Sequence, residues 1–557
     1  MAIDFRAELN DEQFNAVTAG SGPLLVLAAA GTGKTRTLVY RVAFLVENGV
    51  SPDRILLLTF TNRAAHEMLD RAAALVGGAV GGVWGGTFHH MANRILRRHS
   101  RLLGYDGNYA ILDRDDSRQM LTECIKERGF RTREFPGRDV LMGLFGTAAN
   151  TGRSLERVVE EHFEELPVDP RDVLAVHTAY RKRKQACSAL DFDDLLTECD
   201  RLFRDHDEII GRYRQQFVHV LVDEYQDTNA VQARMVDKLA AGHGNLLVVG
   251  DDFQSIYSWR GADFRNILSF PERYPETRIY KLETNYRSTP DILAVANACI
   301  AGNPEQFQKT LRATKPVGRR PRVASLRNGD EQAEYVIDHV RQLQRDGHDL
   351  SEIAVLYRAH FHAMELQVRL AGAGIPYVIT SGVRFFEQAH IKDVCSFLRI
   401  VATPGDALAF SRLLGLLKGV GPRTAGKLWT ALGRSFNVHD PKQRALVGDK
   451  LRSTAAAEWE QIEPVMADAV SMGVEALVER FLDVFYARYA EAAFDNAQSR
   501  LDDVREMAIY AQRYESIDAF LKEMALLTNL DTEAEVVEGE EQVVRLSTVH
   551  QAKGLEW

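Results

Sequence analysis

The sequence predicts an α/β fold of two lobes, each built on a parallel sheet and each interrupted by a mainly helical insertion. Three observations carry this expectation. Apolar runs of strand length end at small-residue or acidic turns, as at Pro23–Leu27, Val218–Val222 and Leu246–Val249. Such runs, with no polar alternation, are what strands buried on both faces require. Two long helical stretches, 89–215 and 386–538, separate the strand-rich regions, and a strand pattern returns after each.

Taken in order, residues 1–88 and 216–283 form the two parts of the first lobe, with 89–215 as its insertion. Ile55–Phe60 is a further buried strand of that lobe. Residues 284–385 open the second lobe, with strands at Arg322–Leu326, Ile353–Tyr357 and Tyr377–Thr380. Residues 386–538 are its helical insertion. Val543–Thr548 within 539–557 returns to the second lobe. A length of 557 residues fits several domains rather than one core, since a domain takes roughly 150 residues.

The chemistry begins at Ala28-Ala29-Ala30-Gly31-Thr32-Gly33-Lys34-Thr35, between the first strand and a helix opening with Arg36. A strand, a tight loop of small residues and a helix starting at Lys-Thr make a phosphate cradle. Loop N–H groups and the positive end of the helix dipole meet phosphate oxygens. Lys34 supplies a point charge to the β and γ phosphates, and Thr35 a hydroxyl to Mg²⁺. The pattern is imperfect, because its first glycine is replaced by Ala28. The second half of the site is Asp223-Glu224-Tyr225-Gln226-Asp227, delivered at the carboxyl end of a strand. Open parallel sheets bind ligands at that edge. Asp223 is placed to hold Mg²⁺ and Glu224 to activate water. Gln254, after the third strand, is placed to sense the γ-phosphate. Tyr257 and Trp259 lie beside Arg260, which leaves two readings, core packing and base stacking.

These motifs resemble those of superfamily-one DNA helicases of the UvrD/Rep/PcrA group. The resemblance extends through Leu9–Gln13, Leu58–Met68, Gly86–His89, Asp191–Leu196, Gly250–Ala262, Glu283–Ser288 and Thr548–Glu556, in the family's order. It implies two RecA-like P-loop lobes, with ATP and Mg²⁺ as cofactors. It assigns Gln13 and Tyr286 to the adenine, Arg287 to an arginine finger reaching from the second lobe, and Glu556 to the ribose. It implies single-stranded DNA crossing both lobes. The candidates to stack bases or hold phosphates are Phe60, Asn62, Thr87, His89, Tyr257, Trp259, Arg260, Tyr357 and Arg358. Gly419-Val420-Gly421, flanked by Lys418, Arg423 and Lys427, is similar to a helix–hairpin–helix turn that meets duplex phosphates; an ordinary helix–helix turn is the other reading. The implied activity is 3′-to-5′ translocation and unwinding in repair or replication, at single-stranded DNA and duplex junctions. Repair or replication proteins would be its partners.

A net charge of −10 excludes a protein that coats nucleic acid by bulk charge, and a translocase needs only a basic groove. Clusters at Arg94–Arg101, Arg181–Lys184 and Arg319–Arg322 read equally as DNA track or solvated face. Asp531–Glu541 reads as an acidic linker. Five cysteines lie singly, without metal spacing, and no apolar stretch is long enough to span a bilayer. The expected location is cytoplasmic and nucleoid-associated, away from membranes. The chain given stops inside the last motif, at Trp557. The expectation drawn from this is a truncated or split helicase that binds nucleotide and DNA but unwinds poorly. The alternatives are a nucleotide-gated DNA-binding module and the motor of a helicase–nuclease.

Overall fold

The apolar runs of the first lobe lie side by side in one parallel sheet. In chain order the strands are β1 (Leu24–Ala28), β2 (Ile55–Thr59), β3 (Trp84–Thr87), β4 (Ala110–Ile111), β5 (Ala189–Leu190), β6 (His219–Val222), β7 (Leu246–Gly250) and β8 (Arg278–Leu282). There follow β9 (Thr284–Asn285), β10 (Arg312–Ala313), β11 (Ala354–Tyr357), β12 (Tyr377–Ile379) and β13 (Val544–Thr548). These come from a computed structural model that describes residues 3–557, apart from 79, 131–134, 163–167, 259–260, 380–387, 470–471, 495–496, 513 and 522–541. The acidic segment Asp531–Glu541 falls wholly outside the described residues, as do Trp259 and Arg260.

The chain folds as two compact units, Met1–Val323 and Ala324–Trp557. The first holds a six-stranded sheet of order β3-β2-β6-β7-β1-β8, every pairing parallel. Alternate residues serve two cores. Leu25, Leu27, Leu56, Leu58, Val220, Val222 and Val248 enter one, and Leu24, Val26, Ile55, Leu57, Leu221 and Val249 the other. Each buried Leu or Val is worth about 1.5–3 kcal/mol relative to exposure, so neither face tolerates polar residues. Helices Phe88–His99, Phe192–Asp205 and Asp207–Gln216 contribute to the first of these cores. The insertion's own core is narrower than 89–215; it runs from Leu121 to Tyr180. The short β4–β5 ladder ties the way into that insertion to the way out.

The sequence reading placed 284–323 in the second lobe. In the structure these residues belong to the first compact unit. The reason is local: β8 joins the first sheet beside β1, and β9 follows it at once and pairs with β10. Glu12 also accepts hydrogen bonds from the N–H groups of Glu283 (2.9 Å) and Thr284 (3.0 Å).

The second unit holds a three-stranded parallel sheet, β11-β13-β12, with the last strand in the centre. Its core gathers Ile337, Leu366, Leu370, Val544 and Leu546. A larger helical core gathers Met364 with buried residues from Ile391 to Phe520. Residues 322–326 form no strand, contrary to the sequence reading. Val323 is 97 % exposed, so apolar alternation there finds no neighbouring strand among the described residues to bury it.

Candidate active site

The phosphate loop is held open by close backbone contacts. Thr32 closes a turn on the carbonyl of Ala29, through its N–H at 3.2 Å and its hydroxyl at 2.7 Å. Gly31 and Gly33 lie at φ +72° and +85°. A Cβ at Gly31 would sit 2.6 Å from Arg287 Cβ, and one at Gly33 would sit 2.4 Å from Gln13 Nε2. Only glycine fits either place. Gly33 caps helix Lys34–Glu47 without a side-chain bond, so the first helical N–H groups stay available to an anion.

The segment after β8 wraps the loop. Asn285 Nδ2 donates to the Ala30 carbonyl (2.6 Å), and the Tyr286 N–H donates to Gly31 O (2.9 Å). Gln13 Nε2 donates to Thr32 O at 3.0 Å. Asn10 Nδ2 donates to the Tyr286 hydroxyl at 2.6 Å. The structure thus gathers Gln13, Ala28–Arg36, Tyr286 and Arg287 within one unit. Arg287 was expected to reach across from the second lobe. It lies instead in the first unit, beside Gly31, because β9 continues directly from that unit's sheet. Glu556 lies in the second unit and is exposed.

Opposite the loop, β6 delivers the acidic pair. The Asp223 N–H donates to Leu58 O (2.8 Å), which fixes the strand end. Glu224 turns into the left-handed region at φ +50°, an unusual conformation for a non-glycine residue. Its Oε1 meets Lys34 Nζ at 2.7 Å, and its Oε2 accepts from Gln226 Nε2 at 2.6 Å. Burial acts to lower the Lys34 pKa, but Glu224 and Asp223 outweigh it and hold the ammonium charged. Asp223 is pushed up to about 7, first by burial and then by the Glu224 charge. Its Oδ1 is buried with no hydrogen-bond partner among the described residues. A buried carboxylate oxygen left unsatisfied, on a group within electrostatic reach of Lys34, fits a divalent cation, a hard ion that takes oxygen ligands. Gln254 Nε2 donates to Asp251 Oδ2 at 2.7 Å, and the Asp251 N–H donates to Gln226 Oε1 at 2.9 Å.

The same carboxyl edge carries the DNA candidates, beyond the strands β2 and β7 that flank β6 and beyond β3. Phe60, 47 % exposed after β2, stacks on Tyr257, with centroids 5.5 Å apart and planes at 10°. Asn62 Oδ1 accepts from the Thr87 N–H (3.1 Å), and the Thr87 hydroxyl caps helix Phe88–His99 through His90 N. His89 stacks on Phe192 at 3.8 Å, and burial drops its pKa to about 4. The ring is therefore neutral at pH 7 and offers a stacking face rather than a charge. Phe192, 60 % exposed, is a residue that sequence reasoning missed. Its signal was an aromatic side chain between Asp191 and Asp193 at a helix start.

Other expectations change. Tyr357 is only 8 % exposed and packs in the second unit's sheet core, so it presents no free face for a base; burial pushes its hydroxyl up to about 12. Arg358 is exposed. Gly419 and Gly421 sit between helices Ala407–Leu416 and Pro422–Ala431, with Gly419 at φ +81° and Arg423 and Lys427 exposed. The basic clusters are partly consumed by packing. Arg94 lies over the Trp84 ring (3.7 Å) and Arg97 over Tyr109 (3.9 Å). Arg183 pairs with Glu123 and Glu127, and Lys184 is buried between Asp191 and Asp194.

Comparison with known proteins agrees with this geometry. Residues 9–275 match the UvrD/REP helicase N-terminal domain, and residues 280–557 match the UvrD-like helicase C-terminal domain. The chain is 35 % identical over 566 residues to the ATP-dependent DNA helicase PcrA of Staphylococcus epidermidis, covering 99 % of this chain and 76 % of that protein. It is 35 % identical over 565 residues to the protein of the same name in Staphylococcus aureus, with the same coverage. With two adjoining domain models spanning nearly the whole sequence, and relatives aligned along almost all of it, the chain belongs to the UvrD/Rep helicase family.

Proposed function

We propose that this protein is an ATP-dependent DNA helicase that moves 3′-to-5′ on single-stranded DNA and opens duplex junctions during repair or replication. The observation that carries the reading is the shared carboxyl edge of one parallel sheet. The phosphate loop and Asp223–Glu224 lie at β1 and β6, and the aromatic and hydroxyl candidates follow β2 and β3.

In this mechanism Lys34 leaves Glu224 for the β and γ phosphates, which frees the Glu224 carboxylate to accept a proton from water. Phosphoryl transfer is then a matter of positioning and charge. Thr35 and Asp223 would hold Mg²⁺, which neutralises charge on the phosphates. Gln13 and Tyr286 hold the adenine, Arg287 answers the charge developing on the γ-phosphate, and Glu556 serves the ribose. Gln254 reports the γ-phosphate to the loop that carries Tyr257. Phe60, Tyr257, His89 and Phe192 stack bases, while Asn62, Thr87 and Arg358 hold phosphates. Trp259 and Arg260 serve the single strand by stacking and charge, as their residue types allow, and Gly419 and Gly421 meet the duplex. The work would be done in the cytoplasm, on the nucleoid.

The test is ATP hydrolysis with and without single-stranded DNA, together with strand separation on 3′-tailed and 5′-tailed duplexes. Hydrolysis should rise with DNA, and only the 3′-tailed duplex should open. Glu224→Gln should keep mant-ATP binding and lose turnover by about 10²–10⁴-fold, the usual worth of a general base. Equal mant-ATP affinity in wild type and Lys34→Ala would overturn the nucleotide assignment.

A further inference from the structure

The buried lysine at position 309 has no part in the site described above. Its side chain is fully buried. Nζ lies 2.8 Å from Asp251 Oδ1, pairs also with Asp252 Oδ1, and sits over the Phe253 ring at 3.6 Å. The two carboxylates are 2 % and 1 % exposed. The segment that carries it is pinned on both sides. The Phe307 N–H donates to Asp252 Oδ2 (2.8 Å), and the Thr310 N–H donates to Glu283 Oε1 (2.7 Å). A strand return more than fifty residues downstream in sequence therefore grips the turn that follows β7.

Asp251 is the hub of this arrangement. Its Oδ1 faces Lys309, and its Oδ2 accepts from Gln254 Nε2 at 2.7 Å. Its N–H is bound to Gln226, whose amide in turn donates to Glu224. The Phe253 N–H also donates to Asp251 Oδ1, at 3.2 Å, so backbone and cation together set the plane of this carboxylate. Removing the cation leaves two adjacent buried carboxylates uncompensated, and Asp251 keeps the backbone bond but loses its charged partner.

We propose that Lys309 is a positioning residue for ATP turnover: by holding Asp251 between itself and Gln254, it fixes the direction of the Gln254 amide and so sets discrimination between nucleoside triphosphate and diphosphate. The inference rests on the reading of Gln254 as the γ-phosphate sensor. An apolar residue would fill the same volume, but it would not anchor the carboxylate that Gln254 uses.

The full chain is assayed for binding of mant-ADP and of a non-hydrolysable mant-ATP analogue, and for DNA-stimulated hydrolysis. Lys309→Met is compared with Lys309→Met/Asp252→Asn, which restores the charge balance of the buried cluster if the single variant fails to fold. Both should keep mant-ADP affinity within about twofold, while the triphosphate-over-diphosphate ratio and the turnover fall about tenfold or more, the scale of one hydrogen bond involving a charged group. In a Gln254→Ala background the double change should add nothing to the lost ratio. If the charge-balanced variant melts lower but keeps the ratio and the turnover, Lys309 is a structural anchor and the proposal is overturned. If Gln254→Ala alone leaves the ratio intact, the sensor reading itself fails, and this proposal falls with it.

Discussion

Gly33 shows how little space the phosphate loop leaves. At φ +85°, with Gln13 Nε2 only 2.4 Å from where a Cβ would stand, alanine brings both backbone strain and a displaced side chain. Strain of this kind costs on the order of 1–2 kcal/mol per residue. Gly33→Ala should therefore weaken mant-ADP binding about tenfold or more, measured by titration, with a modest fall in melting temperature. Phe60 makes the opposite case, an exposed ring whose only described ring partner is Tyr257. Phe60→Ala should cost single-stranded DNA about 1–3 kcal/mol in binding while leaving nucleotide affinity unchanged. Phe192→Ala should behave alike. Unchanged oligonucleotide affinity in both variants would remove the stacking track from the first unit. Lys34, Asp223, Glu224 and Gln254 were all legible in the sequence, because each stands at a fixed offset from a strand end. Lys309 was not, because its partners lie more than fifty positions away and only the fold brings them together.

At the scale of elements, the junction of the insertion with helix Phe192–Asp205 stores a buried acidic cluster. Burial and the Asp191 charge push Asp193 up to about 6, while Asn150 Nδ2 donates to its Oδ1 at 3.2 Å. The folded pKa lies above the unfolded value of 3.8. The stabilising share of this group is thus full below pH 4 and is lost as pH rises through about 6. Asp193→Asn mimics the protonated form. It should raise the melting temperature at pH 8, by a ΔΔG on the order of 2 kcal/mol, and converge with wild type near pH 4. Equal shifts at both pH values would show that the charge is not the cause. The N-cap of helix Phe88–His99 offers a second test. Thr87→Ala should lose about 1 kcal/mol of stability through the missing bond to His90 N, and Thr87→Ser should restore it. The narrowness of the insertion's core was not visible in sequence, since the flanking helices have the same composition but bury their faces against the sheet.

At the scale of the whole molecule, every nucleotide candidate except Glu556 falls in Met1–Val323. Residues 1–323 expressed alone should bind mant-ADP within about tenfold of the full chain. Complete loss would mean that the second unit supplies an essential contact. The net charge of −10 also sets an expectation for DNA binding. Affinity should come from a local track and fall with salt, with a log–log slope of about −0.7 for each phosphate contacted on a single strand. A slope near zero would exclude a phosphate track. No helix among the described residues is long and apolar enough to cross a membrane.

Most of the long buried strands, and the motifs at their ends, were readable from residue order. Runs such as Leu24–Leu27 and Leu246–Val249 read as buried strands because both of their faces are apolar, and the loops beyond them read as phosphate and water chemistry because glycine, lysine and carboxylate spacing is local. Tertiary structure alone decided the pairing order β3-β2-β6-β7-β1-β8, the inclusion of 284–323 in the first unit and the central place of β13. It alone made Tyr357 a core residue and Phe192 an exposed one. The physical reason is that burial and charge compensation depend on which distant segments meet. Arg287 sits beside Gly31, and Lys309 between Asp251 and Asp252, only because the segment around the separate β9–β10 pair packs against the loops that follow β1 and β7 of the six-stranded sheet.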